Sequence, residues 1–403
     1  MVSTDFPLEL CAEIMGHCNP ESLKSCILVC RDWFPFARPH LFHDFSFPPE
    51  NQLKQFKDDD DEIIREKLER FIDDMNASTL LPSLSTIVRR LRINTGCFTY
   101  PHKVPAFYSE LPFKGLTHIR LQAITFDNVA QESFCKLLER QPSMESLIFD
   151  HGYYDRSDGD ILNFYRALSS AKCLHTLGIP ADEQFTGDLD TLPESENPPR
   201  LQALRFSLDQ AKWIRKLVSS HLFNTASLRK LVVTLGSVED FNSCFQAIGN
   251  RCGSAITSLS LEFAFEFKSL LPEDLTVFDN FVNLTHFSIK LWLLFRDWDD
   301  SVCDLFKSLL LRLQGLQNLT IAPGDYGGFY RDFPYFFDES FDSFLSTLPG
   351  TSPRLETINL NVPADEMVLA ETLAGCLPKT QERGLLKICV GHNFGPFELQ
   401  RSS

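Results

Sequence analysis

The sequence predicts an α/β solenoid, a curved stack of strand–helix repeats preceded by a small all-helical segment. Three observations predict it. A six-residue pattern, apolar-x-x-apolar-x-apolar, recurs eleven times along the chain. The stretches between copies place apolar residues three and four apart, the spacing of one helix face. The first 47 residues lack that periodicity and read as short amphipathic helices.

The copies begin with Val88-Arg-Arg-Leu-Arg-Ile93, Leu116-Thr-His-Ile-Arg-Leu121, Met144-Glu-Ser-Leu-Ile-Phe149 and Leu174-His-Thr-Leu-Gly-Ile179. They continue at Leu201, Leu228, Ile256, Leu284, Leu316 and Leu355, and a weaker copy starts at Leu385. Successive first positions are 28, 28, 30, 27, 27, 28, 28, 32, 39 and 30 residues apart. One such hexad arises easily by chance; eleven near a common period do not. The last three residues of each copy alternate as a strand does. Helices are predicted around Phe134, Leu137 and Leu138, around Phe241, Phe245 and Ile248, and around Val302, Leu305, Phe306 and Leu309. One strand with one helix cannot bury its apolar face alone, whereas stacked neighbours can.

This array resembles a leucine-rich-repeat domain of the longer, ribonuclease-inhibitor-like kind. The resemblance implies a horseshoe with a parallel sheet inside and helices outside. The Asn that often follows the strand in that family is mostly missing, so irregular turns are expected. The 36 Phe are expected to fill the space between layers. The predicted organisation is an N-terminal segment 1–47, a helical cap or linker 48–86, a repeat domain 87–390 of about eleven irregular repeats, and a tail 391–403.

In the N-terminal segment Pro7 suits a first helical position, and Leu10, Cys11, Ile14, Met15 and Cys18 fall on one face. Asn19-Pro20 reads as an N-cap followed by a first-turn proline, ahead of a second apolar face of Leu23, Cys26, Ile27 and Cys30. Phe6-Pro7-Leu8-Glu9-Leu10, Ile14, Asn19-Pro20, Leu23, Val29-Cys30-Arg31-Asp32-Trp33 and Leu41-Phe42 together resemble an F-box of the fungal type. Phe6 and Cys18 stand where that family usually has Leu. The resemblance implies binding to the Skp-type adaptor of an SCF ubiquitin ligase, and through it to a cullin. It assigns adaptor binding to Pro7, Leu8, Leu10, Ile14, Leu23, Cys26, Val29 and Trp33. It also implies that the repeats capture a protein substrate. The alternative is a repeat scaffold or small-GTPase regulator whose N-terminal helices serve only as a cap.

Composition narrows the rest. With 54 acidic against 38 basic residues the net charge is −16, which argues against coating nucleic acid. No apolar run approaches the roughly 20 residues of a membrane span, and no signal peptide opens the chain, so a cytoplasmic or nuclear protein with reduced thiols is expected. Four cysteines near the N-terminus lie on apolar faces without a CxxC pair, so no metal is expected, nor any cofactor. The phosphate-loop, dinucleotide, zinc-protease and nucleophile-elbow motifs are all missing, so no catalysis is expected.

Two further segments stand out. Positions 3, 5 and 7 of each repeat should face the concave side of the sheet. Arg90, Arg92, Arg120, Arg205, Lys230, Lys290 and Lys387 fall there, with His118, against only Asp150 and Glu262. Such a row either binds an acidic or phosphorylated protein segment or keeps an exposed sheet soluble. The 39-residue repeat carries an insert with seven aromatics between 323 and 337, Tyr326, Phe329 and Tyr330 among them. That insert either contacts a partner or covers the last repeats.

Overall fold

The computed structural model describes residues 8–29, 31–47, 63, 66–67, 69–70, 73–74, 84–94, 102–103, 108–109, 111–122, 124–126, 128–150, 153–154, 158–179, 197–207, 217–218, 220–235, 241–263, 270–291, 300–323, 337–362 and 367–390. The chain forms two compact units, residues 1–180 with 195–199, and residues 181–194 with 200–403.

The first unit opens with α1 (Leu8–His17), α2 (Pro20–Val29), a 3-10 turn Arg31–Trp33 and α3 (Phe34–Leu41). There follow β1 (Asp44–Phe47), α4 (Leu84–Ile87), β2 (Arg90–Asn94), β3 (His102–Lys103), β4 (His118–Gln122), β5 (Ile124–Phe126), α5 (Asn128–Glu139), β6 (Ser146–Asp150), β7 (Tyr153–Tyr154), α6 (Asp158–Ser170) and β8 (Thr176–Gly178). The main sheet runs β1-β2-β4-β6-β8 with these neighbours paired in parallel, while β3-β5-β7 form a small second sheet.

The second unit contains β9 (Ala203–Ser207), β10 (Lys230–Leu235), α7 (Phe241–Cys252), β11 (Ser258–Phe263), β12 (His286–Leu291), α8 (Asp300–Arg312), β13 (Asn318–Pro323), α9 (Glu339–Thr351), β14 (Thr357–Val362), α10 (Met367–Cys376), α11 (Pro378–Glu382) and β15 (Leu386–Val390). These strands lie side by side in chain order, all parallel. Every predicted hexad therefore yields a strand, in an α/β repeat architecture. Helices α5, α7 and α8 sit where the apolar spacing places them. Between β11 and β12 the described residues include a 3-10 stretch, Asp274–Asn280, which buries Leu275 and Phe278.

Positions 1, 4 and 6 build the core. In the repeat starting at Leu284, Leu284, Phe287 and Ile289 are at most 1% exposed. Phenylalanines join the layers as expected: Phe149 meets Phe164 edge-on at 5.7 Å, and Phe306 stacks on Phe341 at 5.6 Å. Burying one such ring is worth roughly 1.5–3 kcal/mol. The turn into each strand repeats as well. In seven repeats the first-position amide donates to the carbonyl three residues earlier, from Met144 to Gln141 through Leu355 to Ser352. That earlier residue is buried in all seven, whether it is Gln141, Ala171, Thr225, Gly253, Phe281, Leu313 or Ser352. Gln141 goes further: its Oε1 accepts the Leu116 amide and its Nε2 donates to the Phe113 carbonyl. In that repeat a side-chain clip supplements the backbone turn, which the other six make with main-chain groups.

The structure adds a strand. Phe42-His-Asp-Phe-Ser-Phe47 is a twelfth copy of the hexad, 46 residues before Val88. Its β1 pairs in the same register, Asp44 opposite Arg90 and Phe45 opposite Leu91, and the His43 carbonyl accepts the amides of Arg89 and Arg90. Residues 44–47, read from the sequence as the end of the helical segment, are part of the sheet. At the other end, Leu386 stands opposite Ile358 and Lys387 opposite Asn359. The last repeat therefore starts at position 383, two residues before the predicted Leu385. The two-residue slip keeps every side chain on its predicted face but moves Lys387 from position 3 to position 5.

Candidate partner-binding surfaces

The N-terminal helices close on a small core of their own. Met15, Leu23 and Ala37 are buried, and Cys18, Cys26, Trp33, Phe36 and Leu41 pack against them. The second helix starts as its sequence dictates: Asn19 Oδ1 accepts the Ser22 amide at 2.8 Å, with Pro20 as the first helical residue. The predicted single face of α1 splits. Cys11 and Met15 turn inward, while Leu10 (44% exposed) and Ile14 (48%) remain outside.

Of the residues assigned to adaptor binding, Leu10 and Ile14 are therefore on the surface. Leu23 is core, and Cys26 and Trp33 are half-buried against it. Pro7 lies outside the described residues; Leu8 and Val29 are helical, with side chains outside the described ones. Sequence reasoning missed Leu28, 86% exposed, and Phe34, 40% exposed with the Arg38 guanidinium 5.6 Å over its ring. The available signal was a large apolar residue on the polar side of an amphipathic helix.

The sheet face of the first unit carries the basic residues in the predicted register. Arg90 is opposite His118, and Arg92 is opposite Arg120. All four are half-exposed, between buried Leu91, Ile93, Ile119 and Leu121. Asp44 lies across from Arg90, its Oδ2 3.6 Å from Arg90 Nη1 and its Oδ1 2.8 Å from His43 Nδ1. Partial burial and the Arg90 charge lower the His118 pKa to about 4, so this ring is neutral at neutral pH. The face closes at β6 and β8: Ser146, Ile148 and Thr176 are buried at positions where the sequence pattern predicts exposure.

The second unit treats its cations differently. Arg205 Nη2 is 3.6 Å from Glu262 Oε2, with side chains 15% and 7% exposed. Thr234 Oγ1 donates to the same oxygen at 3.0 Å. Lys290 stands opposite Glu262 in the register and is 6% exposed. Burial lowers the Lys230 pKa. Here Arg205 is paired within the fold and Lys290 is buried, where the sequence pattern predicts an open basic row. Beyond it, β11 to β14 present an uncharged row, in which Thr357 Oγ1 donates to Asn318 Oδ1 at 2.6 Å and Asn318 Nδ2 lies 3.1 Å from His286 Nε2.

Tyr326, Phe329 and Tyr330 fall outside the described residues. The last aromatic of that insert, Phe337, is core and meets Phe341 edge-on at 5.7 Å. The described cysteines 11, 18, 26, 135, 173, 244, 252, 376 and 389 are thiols outside any disulfide, and burial pushes Cys252 up to about 12. No helix among the described residues is long and apolar enough to cross a membrane. In comparisons with known proteins, no family model and no curated protein matches the chain.

Proposed function

We propose that the chain is the substrate receptor of an SCF-type ubiquitin ligase, in which α1 to α3 bind a Skp-type adaptor and a leucine-rich-repeat horseshoe holds the substrate. One observation carries the reading. Three short helices satisfy a core of their own and still leave Leu10, Ile14, Leu28 and Phe34 outside. Exposed large apolar side chains on a small helical unit are the usual mark of a protein contact. The F-box resemblance supplies the kind of partner. The protein performs no chemistry in this reading; it raises the effective concentration of a substrate lysine near a ubiquitin-loaded enzyme.

Co-purification with the adaptor tests it. The wild type should bind, and Ile14→Asp with Leu28→Asp should abolish binding while the helices stay folded. Leu23→Ala should weaken binding only through loss of helical structure. A wild type that does not bind removes the ligase reading and favours the scaffold alternative.

A further inference from the structure

We propose that His286, Asn318 and Thr357, on the sheet face of the second unit, form a proton-operated switch that reverses the hydrogen bonds this face offers to a bound segment. The device stands whether or not the chain is a substrate receptor.

The three residues occupy position 3 of consecutive repeats. His286 and Asn318 are Cα partners across β12 and β13, and Asn318 and Thr357 across β13 and β14. One hydrogen bond fixes the direction of the rest. The Thr285 hydroxyl has a single proton and donates it to the Thr257 carbonyl at 3.1 Å. Toward His286 Nδ1, 2.9 Å away, that oxygen can only accept, so Nδ1 carries the ring proton. Nε2 is then a lone pair, and it accepts from Asn318 Nδ2 at 3.1 Å. The other end of the amide, Oδ1, accepts the Thr357 hydroxyl at 2.6 Å. Every donor in this chain points the same way, from β14 toward β11. The Thr-His step recurs in the first unit, where Thr117 Oγ1 donates to the Arg89 carbonyl at 3.3 Å and lies 2.8 Å from His118 Nδ1. There the register neighbours are Arg90 and Ser146, neither of which carries an amide.

A proton taken from solvent goes to Nε2, the ring nitrogen with a lone pair. An N–H there would meet the Asn318 NH2 across the same 3.1 Å, donor against donor. A half turn of the amide removes the conflict, because its two ends are nearly identical in shape. Oδ1 then faces the imidazolium, and Nδ2 donates to Thr357 Oγ1. The Thr357 hydroxyl, now an acceptor, turns its own proton to the open face. What a bound segment meets at Thr357 changes from acceptor to donor, with no backbone movement.

Among the described residues, charged groups stand off from the ring. Ser258 and Asn318, its neighbours in the register, are uncharged, as are Thr257 and Gln317 next to them. Arg229 and Lys230 stand at the start of β10, and Arg354 and Glu356 lead into β14, each pair two strands, or about 10 Å, away. Glu262 and Lys290 lie four residues further along β11 and β12. Asn318, and not a neighbouring charge, therefore answers the proton.

The test is nuclear magnetic resonance on the full chain, isotopically labelled at nitrogen in histidine and asparagine. Ring nitrogens and side-chain amides are followed from about pH 8 to about pH 5. His286→Gln and Asn318→Ser assign the two signals. At the upper end His286 should be the Nδ1–H tautomer. As its ring titrates, the Asn318 amide should shift with the same midpoint, and in His286→Gln that amide should lose its pH response. Asn318→Asp sets a carboxylate oxygen against Nε2 and should move the ring's midpoint up by about one pH unit or more. Thr285→Val should release the ring to the Nε2–H form, whereas Thr285→Ser, which keeps the hydroxyl, should hold it as Nδ1–H. An Nε2–H tautomer in the wild type overturns the switch. So does an Asn318 amide that stays still while the ring titrates, or an Asn318→Asp ring that titrates with the wild type. Circular dichroism across the range certifies folding, and the wild-type readings decide by themselves where a variant does not fold.

Discussion

The Asp342 carboxylate of α9 caps α11 from inside the fold, accepting the Thr380 amide on Oδ1 and the Lys379 amide on Oδ2, each at 2.9 Å. The Thr380 hydroxyl adds a third bond to Oδ1 at 2.7 Å, and Asp342 is 1% exposed. Helix α11 begins at Pro378, so its free first-turn amides need just such an acceptor. Asp342→Ala should cost about 2–4 kcal/mol, from several buried donors left without a partner. Asp342→Asn should cost nearly as much, because one amide orientation sets its NH2 against the Lys379 N–H and the other against Thr380. Urea unfolding of the two variants beside the wild type checks this.

Glu262 and Arg205 make a second test. Removing one partner strands a charge where side chains are 15% and 7% exposed, so Glu262→Gln should destabilise by roughly 3–5 kcal/mol. Arg205→Met together with Glu262→Leu should recover most of that loss. Thermal melts of the single and double variants decide, and a double variant worse than the single would refute the pairing.

His118 sets a pH dependence. Its folded pKa is about 4 against an ordinary 6.5, with burial and Arg90 lowering it, His175 and His43 lowering it further, and Glu145 opposing. Between those values the unfolded chain binds a proton that the folded chain does not. Stability from this group therefore falls as pH drops from 6.5 toward 4, and levels off below. His118→Asn should flatten that part of a melting-temperature profile against pH.

Gly253 allows the closest approach among the described glycines of the second unit. A Cβ there would lie 2.8 Å from the Asn280 backbone oxygen. Gly253→Ala should destabilise by about 1–3 kcal/mol through a forced backbone shift. An alanine variant that melts with the wild type would show that the 3-10 stretch simply moves aside.

The repeat was legible because its apolar positions answer to one constraint, burial on one face of a strand, and eleven hexads reported it independently. Phe42–Phe47 escaped because 46 residues separate it from the next copy, far from the period near 28. The slip at Lys387 escaped because alternation is satisfied equally two residues along. The basic row was harder still. Its positions were readable, but whether Arg205 stands open or meets Glu262 depends on the tertiary neighbourhood of both side chains. The split of α1 into inward Cys11 and Met15 and outward Leu10 and Ile14 escaped for the same reason.

The first strand changes how the two ends of the first unit communicate. Only Phe42 and His43 separate α3 from β1, and Phe42 still donates its amide to the Arg38 carbonyl. The chain passes from the last helix straight into a hydrogen-bonded sheet, with only two residues between α3 and β1. Whatever the first unit's sheet holds is thus aimed by folding and not by diffusion. In a ligase, the lysines it presents would be chosen by their position on a fixed bearing from the adaptor.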